Sequence, residues 1–192
     1  MRRPAFALCL VTLLAATHAL AAHEEVLKPV KGVIGSVRHS QDKIALRYFA
    51  IINQGKRLVG DDWVKGTDAQ RKEFQELFAL LFAKIAFPKV REDFKYLDSI
   101  TYGEPEVKAD QAFLNSVISI QHPLKKQEIK LKYELVKEGS GWKVVDVTVL
   151  GDSMLQGIKE DQVAPILKEG GWPHLLDLMR QKAKELEGVP LK

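Results

Sequence analysis

Cysteine is nearly absent from this chain of 192 residues, in which Cys9 is the only one. It lies in an apolar segment near the N-terminus that we expect to be removed. The folded domain is therefore expected to have no disulfide, no thiolate nucleophile and no cysteine-based metal site. Its stability must come from packing, and a domain of about 150 to 170 residues buries close to 70% of its unfolded surface on folding.

The sequence also lacks a large excess of charge of either sign. It has 29 lysines and arginines against 25 aspartates and glutamates. Arg2 and Arg3 belong to the segment expected to be removed, and without them the charged residues nearly balance. Such a balance does not indicate binding to nucleic acid, which requires a clustered positive surface.

No apolar run is long enough to cross a bilayer as a helix. The longest, Phe6–Ala16, is well short of the roughly 20 residues that a span needs. Two arginines precede this run, and Ala19-Leu20-Ala21 follows it as an A-x-A cleavage site. That order is typical of a secretory signal peptide. We therefore predict a signal peptide over residues 1–22 and a single domain over residues 23–192.

Motifs of catalysis and of metal binding are missing as well. The histidines beyond the predicted signal peptide are widely spaced and have no H-x-x-x-H or H-E-x-x-H arrangement: His23, His39, His122 and His174. The stretch that begins at Gly151 lacks the closing glycine of a nucleophile elbow, so we expect Ser153 to cap a helix rather than act as a nucleophile. The sequence thus predicts a protein that is not an enzyme and has no metal and no cofactor.

What the sequence does contain is a succession of helices, then strands, then helices, which is typical of an α+β fold with an antiparallel sheet. Thr67 and Gln70 have capping-box spacing, and apolar residues follow at helical spacing: Phe74, Leu77, Phe78, Leu81, Phe82 and Ile85. Pro88 is expected to end or kink this helix, because proline has no N–H to donate. A shorter helix containing Val90, Phe94 and Leu97 is expected after it. Gly32 and Gly35 are candidate breaks in the preceding helical region.

Four strands are predicted, over residues 99–107, 112–122, 128–137 and 142–150. In the third, apolar residues alternate with charged ones, which indicates one buried and one solvated face. The fourth has valines on both faces, so we expect it to lie centrally in the sheet. After the strands, Ser153 is expected to cap a helix, Gly170-Gly171 to interrupt the helical region, and Pro173 to begin the final helix.

A basic cluster lies on and just before the third predicted strand, and consists of Lys125, Lys126, Lys130 and Lys132. One interpretation is a solvated strand face whose lysines protect a sheet edge. The other is a surface that attracts anionic headgroups or an acidic partner.

The order of several short motifs resembles the MlaC family, also called the toluene-tolerance family, over nearly the whole mature chain. The first stretch of resemblance comprises Tyr48-Phe49, Val59-Gly60, Trp63, Gln70-Arg71, Phe74 and Phe78. The second comprises Trp142–Val147, Gly151, Ser153, Ile166-Leu167, Gly170 and Leu175–Leu178. The chain departs from the family pattern at Ala50, Gln54 and Ala86, where an acidic residue, a methionine and a tyrosine are usual.

The resemblance implies a curved antiparallel sheet of about four strands packed against helices, with an apolar cavity between the two layers. It also implies a periplasmic, monomeric carrier of phospholipid, with the lipid as cargo rather than cofactor. The implied partners are a membrane-bound ABC transporter with an MCE-domain protein and an outer-membrane lipoprotein complex. A hopanoid as cargo, or a protein-interaction module with a filled core, remains as an alternative.

A carrier must match the roughly 0.8 kcal/mol per CH₂ that hydrocarbon gains on leaving water. We therefore expect a cavity towards or beyond the upper end of the roughly 300 to 1,000 Å³ typical of ligand pockets. The residues predicted to line it lie on helices, on strands and in the closing segment: Phe49, Leu58, Trp63, Phe74, Phe78, Leu81, Phe82, Ile118, Ile120, Leu131, Tyr133, Val145, Val147, Leu167, Leu175 and Met179.

Overall fold

The computed structural model describes the backbone of residues 8–122 and 125–192, and the side chains of residues 23–121 and 125–192. The predicted signal peptide, residues 1–22, therefore lies outside the residues whose side chains are described, and it stays a prediction. Among the described residues, none of the helices combines the length and the apolar character that a membrane span requires.

Helices flank a central run of strands. The first group comprises α1 (Leu8–Arg38), α2 (Asp42–Leu46), α3 (Ile51–Val59), a 3-10 turn (Gly60–Lys65) and α4 (Asp68–Phe94). The second group comprises α5 (Met154–Ile158), a π-helical turn (Lys159–Val163) and α6 (Ala164–Glu185).

The strands form one antiparallel sheet. They are β1 (Leu97–Tyr102), β2 (Glu106–Lys108), β3 (Gln111–His122), β4 (Lys125–Glu138), β5 (Gly141–Val149) and β6 (Asp152–Ser153). Their order is β1-β3-β4-β5-β6, and β2 pairs with β3 beyond the end of β1. The predicted α+β class and antiparallel sheet are confirmed. Six strands replace the predicted four, because the first predicted strand is divided around Pro105, which cannot donate to a ladder, and because β6 pairs with the end of β5.

The prediction that the last long strand lies centrally was wrong. β5 is flanked by β4 on one side and only by the two-residue β6 on the other. Its free edge is covered instead by the chain just before α3, where Ala50 N–H donates to Val144 O and Val144 N–H donates to Tyr48 O. Both faces of β5 are nonetheless buried, as Val144 and Val145 show, and this burial explains the misleading run of valines.

Local signals set several helix boundaries as predicted. The Thr67 hydroxyl accepts the N–H of Gln70, and the Gln70 side chain accepts the N–H of Thr67, so the capping box is confirmed. The Ser153 hydroxyl accepts Gln156 N–H and so caps α5, without the reciprocal bond of a capping box. Gly170 and Gly171 have non-helical geometry, and Gly171 has a φ of 63°, a conformation that side chains with a Cβ rarely adopt.

At Pro88, Gly32 and Gly35 the helices continue, although these residues locally disfavour a helix. The expectation that the helix ends at Pro88 and that a separate helix follows was wrong, because α4 continues through Pro88 to Phe94. Phe87 and Val90 pack into the same core on either side of the proline, and this packing offsets the lost hydrogen bond. α1 likewise continues through Gly32 and Gly35 to Arg38.

Two apolar clusters fill the space between helices and sheet. The first is formed by α1, α2, the C-terminal part of α4 and the middle of the sheet. The second is formed by α3, the N-terminal part of α4, α6 and part of β5. Phe82 packs against both clusters, so the middle of α4 lies where they meet.

Candidate functional site

An apolar cavity of about 270 Å³ lies between the sheet and the helices α1, α3, α4 and α5. Helix α1 contributes Val33, Ile34 and Val37, and α4 contributes Phe78, Phe82, Ala86, Phe87, Val90, Asp93 and Phe94. The sheet contributes inward-facing residues of β3, β4 and β5, and the N-terminal part of α5 closes one side through Met154, Leu155 and Ile158. We call this space the apolar cavity.

Four aromatic rings form a continuous wall of the apolar cavity. Phe78 and Phe82 are one helical turn apart on α4, and their ring centroids are 5.8 Å apart. The Phe49 ring lies 5.2 Å from that of Phe82, and the Phe87 ring lies 5.5 Å from that of Phe82. Rings in edge-to-face and stacked contact hold one another in place, so this wall is well defined.

A few polar groups interrupt the hydrocarbon lining. Tyr133 lies in the floor of the apolar cavity, and its hydroxyl accepts a hydrogen bond from Ser116 Oγ at 3.3 Å. Burial raises the pKa of Tyr133 to about 12, so the phenol stays neutral over the ordinary pH range. Gln54 also lines the cavity and is buried, and its Nε2 donates to Val145 O at 3.0 Å.

A second pocket, of about 280 Å³ and largely polar, lies next to the apolar cavity. We call it the polar pocket. It is lined by Lys56, Arg57, Gly60, Asp146, Ser153, Leu155, Gln156 and Lys159. Asp146 and Leu155 line both spaces, so the two adjoin at these residues.

The hydrogen bonds of the polar pocket fix its acidic side. Asp146 Oδ1 accepts the N–H groups of Val147 and Leu155 at 2.8 and 3.0 Å, and Oδ2 accepts the Ser153 hydroxyl at 2.6 Å. Arg57 makes two hydrogen bonds to the Glu134 carboxylate, at 2.7 and 2.5 Å. That pairing raises the pKa of Arg57, against the opposing effect of burial. Ser153 is thus committed to capping and to Asp146.

The structure brings nine of the predicted lining residues together around the apolar cavity: Phe49, Phe78, Phe82, Ile118, Ile120, Leu131, Tyr133, Val145 and Val147. The other seven lie away from it. Six belong to the second apolar cluster or pack against it: Leu58, Trp63, Phe74, Leu167, Leu175 and Met179. Leu81 is half-buried on α4. The six residues of the second cluster fill space between α3, α4 and α6, because the N-terminal part of α4 packs against α6.

Sequence reasoning missed the contributions of α1 and α5 to the lining. The apolar residues of α1 that meet the cavity have spacings of one, three and four residues, which is the signature of one helical face. Val33, Ile34 and Val37 have this helical spacing in the sequence, but Gly32 before them and Gly35 between them were interpreted as candidate breaks in the helix. The expectation of a very large cavity was also wrong, since about 270 Å³ is slightly below the roughly 300 to 1,000 Å³ typical of ligand pockets.

The basic cluster is exposed throughout. Lys125, Lys126 and Lys130 lie on a part of β4 that extends past the end of β5 and pairs with β3. Lys132 lies between β3 and β5, with Nζ 4.7 Å from the centre of the Phe113 ring. The edge-protection interpretation therefore does not apply to Lys132, because β4 is an internal strand at that position.

Within the described part of the chain, no group of three or more metal-ligating side chains comes together. His23 and Glu104 are 2.8 Å apart, His39 contacts Gly35 O, and His174 lies 3.6 Å from Glu169. The side chain of His122 lies outside the described residues.

Comparisons with known proteins give a family and a fold. The model of the MlaC protein family matches residues 25–181. No curated protein matches the sequence. A solved structure that resembles the chain is that of a phospholipid-binding protein from Ralstonia solanacearum in complex with a phospholipid, with a TM-score of 0.69 and 17% identity. The match covers 86% of this chain and 98% of that one, and at this identity it establishes the shared fold alone.

Proposed function

Because this chain belongs to the MlaC family, we propose that it is a non-catalytic carrier that shelters the hydrocarbon of a phospholipid in the apolar cavity. The observation that carries the proposal is the cavity itself. Protein interiors are normally filled to the density of organic crystals. A hydrocarbon-lined space of about 270 Å³ between two otherwise well-packed clusters is therefore unusual.

The energetics favour an aliphatic guest. Each CH₂ moved from water into such a space gains about 0.8 kcal/mol, so ten methylenes gain about 8 kcal/mol. Most polar side chains of the lining are already satisfied within the protein, which leaves hydrocarbon as the main surface offered. The phospholipid bound to the similar Ralstonia solanacearum protein supports the same ligand class for this chain.

The proposed setting is the periplasm. Export would follow from the predicted signal peptide over residues 1–22, and the family points to exchange of lipid between membranes. We propose an ABC transporter with an MCE-domain protein as the membrane-bound partner, and an outer-membrane lipoprotein complex as a second one. A monomer is the proposed carrier.

The test is to purify the full chain from a bacterial periplasm and to identify its small-molecule content by native mass spectrometry and lipid extraction. We expect one phospholipid per protein, and we expect transfer of labelled phospholipid between vesicles. Recovery of a hopanoid would replace the proposed cargo. A protein that neither retains lipid nor takes it from vesicles, but captures a protein partner, would contradict the carrier and support the interaction module.

A paired substitution tests the cavity directly. Ala86 lines the apolar cavity from α4, and Ala86→Phe is expected to fill part of it with an apolar ring without exposing a polar group. We expect bound lipid and vesicle transfer to fall at least tenfold. Ala164→Phe, at an exposed position at the start of α6, is the matched control and should leave both unchanged. Equal transfer by both variants would show that lipid does not occupy this space.

A further inference from the structure

The opening of the apolar cavity is marked by the two lining residues that are exposed to solvent. They are Asp93 on α4 and Met154, the first residue of α5, whereas the other lining residues are buried or half-buried. A phospholipid must keep its charged headgroup near water, because an unpaired charge is costly to bury. Under the proposed function, on which this inference rests, the headgroup therefore lies between Asp93 and Met154.

The charged residues that line the apolar cavity are both acidic. They are Asp93 and Asp146, and neither lysine nor arginine is among the described residues of the lining. Asp146 is already satisfied by three hydrogen-bond donors of the protein. The Asp93 carboxylate, in contrast, makes no hydrogen bond or ion pair with any described residue, Lys89 one helical turn before it included. Asp93 is thus free to bind a donor that arrives with the cargo.

The position of Asp93 in its helix makes the opening more negative. It is the next-to-last residue of α4, where the helix dipole places a partial negative charge and where a carboxylate is disfavoured. The two cations nearest to it in sequence are paired with other carboxylates, Arg91 with Asp42 and Lys95 with Glu92. The carboxylate and the end of the helix therefore both attract a positively charged group to this side of the opening.

The cations of the polar pocket do not change this preference. Lys56, Arg57 and Lys159 line the polar pocket and not the apolar cavity, and Arg57 is bound to Glu134. Any attraction that they exert on a phosphate is common to all phospholipids, since each of them carries that group. Discrimination between headgroups must therefore come from the charge that the headgroup carries beyond its phosphate.

From these features we infer that the preferred cargo is a phospholipid whose headgroup ends in an ammonium, as in phosphatidylethanolamine, and that Asp93 determines this preference. The ammonium donates to the Asp93 carboxylate while the hydrocarbon occupies the apolar cavity. Phosphatidylglycerol, whose headgroup has no positive charge, lacks this interaction. Because Asp93 is exposed, the preference has the size of one surface ion pair, about threefold in affinity.

The experiment loads the delipidated full chain from vesicles that contain phosphatidylethanolamine and phosphatidylglycerol in equal amounts and with the same acyl chains. Both lipids are then in one membrane, so attraction of the protein to the vesicle surface does not bias the comparison. Lipids extracted from the re-isolated protein are quantified by mass spectrometry. At low ionic strength we expect about three molecules of phosphatidylethanolamine for each phosphatidylglycerol. At about 1 M salt, where the Debye length is about 3 Å, the two should be taken up equally.

Asp93→Asn should abolish the preference, and Asp93→Lys should reverse it. Both substitutions remove a carboxylate from the C-terminal end of a helix, so neither should weaken folding. Glu76→Gln removes the same charge from an exposed position of α4 outside the cavity lining and should keep the wild-type ratio. Equal uptake by the wild type at low ionic strength, an unchanged ratio in the Asp93 variants, or the same loss in Glu76→Gln would overturn the inference and leave the carrier intact. Failure to take up either phospholipid would instead overturn the proposed function.

Discussion

Tyr133 shows how the apolar cavity changes the chemistry of a single residue. Its ring lies in the cavity floor and is only 4% exposed, and burial raises the pKa of its phenol to about 12. The alternation along β4 predicted that Tyr133 is on the buried face, and the resemblance to the family predicted the cavity that this face lines. It did not predict the Ser116 hydrogen bond, because that contact depends on the register between β3 and β4.

The raised pKa of Tyr133 predicts a loss of stability in alkali. The unfolded chain loses this proton near pH 10 and the folded chain near pH 12, so the folded protein binds more protons between them. The stabilisation is complete below about pH 10 and falls by about 3 kcal/mol as the pH rises to about 12. Urea unfolding across this range should give a steeper decline for the wild type than for Tyr133→Phe. Part of the decline should persist, since burial also raises the pKa of Tyr102.

Tyr96→Phe serves as the control for that measurement, because Tyr96 is 42% exposed and lies outside the lining of the apolar cavity. Its pH profile should match that of the wild type. If Tyr133→Phe and Tyr96→Phe have the same profile, the phenol of Tyr133 is not desolvated in the folded protein.

At the scale of elements, the sequence predicted the structural features that depend on residues close together along the chain. Its predictions failed where contacts between residues distant in sequence determine the structure. The capping box at Thr67 and the cap at Ser153 need only residues within one turn, and both formed. The prediction that the helix ends at Pro88 was wrong, because the tertiary packing of Phe87 and Val90 stabilises α4 on both sides of the proline. The prediction that β5 lies centrally in the sheet was wrong, because residues 48–50, which are distant in sequence, cover its edge.

The capping box itself gives an element-scale prediction. Thr67→Ala removes the acceptor for Gln70 N–H at the start of α4, so the free energy of unfolding should fall by about 1 kcal/mol. Gln70→Ala, which removes only the reciprocal bond, should cost less. Chemical denaturation monitored by circular dichroism measures both. Thr101→Ala, at an exposed position on β1, is the control, and an equal effect there would contradict a capping role.

At the scale of the molecule, periodicity identified an apolar helix face but not which part of it meets a cavity. Phe74 and Phe78 are one turn apart on the same face of α4, yet Phe78 lines the cavity and Phe74 is packed beneath Trp63 and Trp172. The difference arises from where α6 crosses α4, which no spacing along the chain encodes. The resemblance to a family, rather than any pattern in the residues, is what predicted a cavity.

A cavity kept open for cargo predicts that cargo stabilises the whole domain. A ligand that binds only the folded state adds RT ln(1 + [L]/Kd), about 2.7 kcal/mol at a free concentration of 100 Kd. For a domain of this size each kcal/mol raises Tm by about 2 to 4 °C, so lipid loading should raise Tm by about 5 to 10 °C. Differential scanning calorimetry of loaded and delipidated protein measures the shift. Ala86→Phe should be nearly insensitive to added lipid and, when delipidated, at least as stable as the delipidated wild type, because its ring replaces part of the missing hydrocarbon. A wild-type Tm that does not change with lipid would mean that lipid does not bind the folded chain in preference to the unfolded one, which would contradict the carrier.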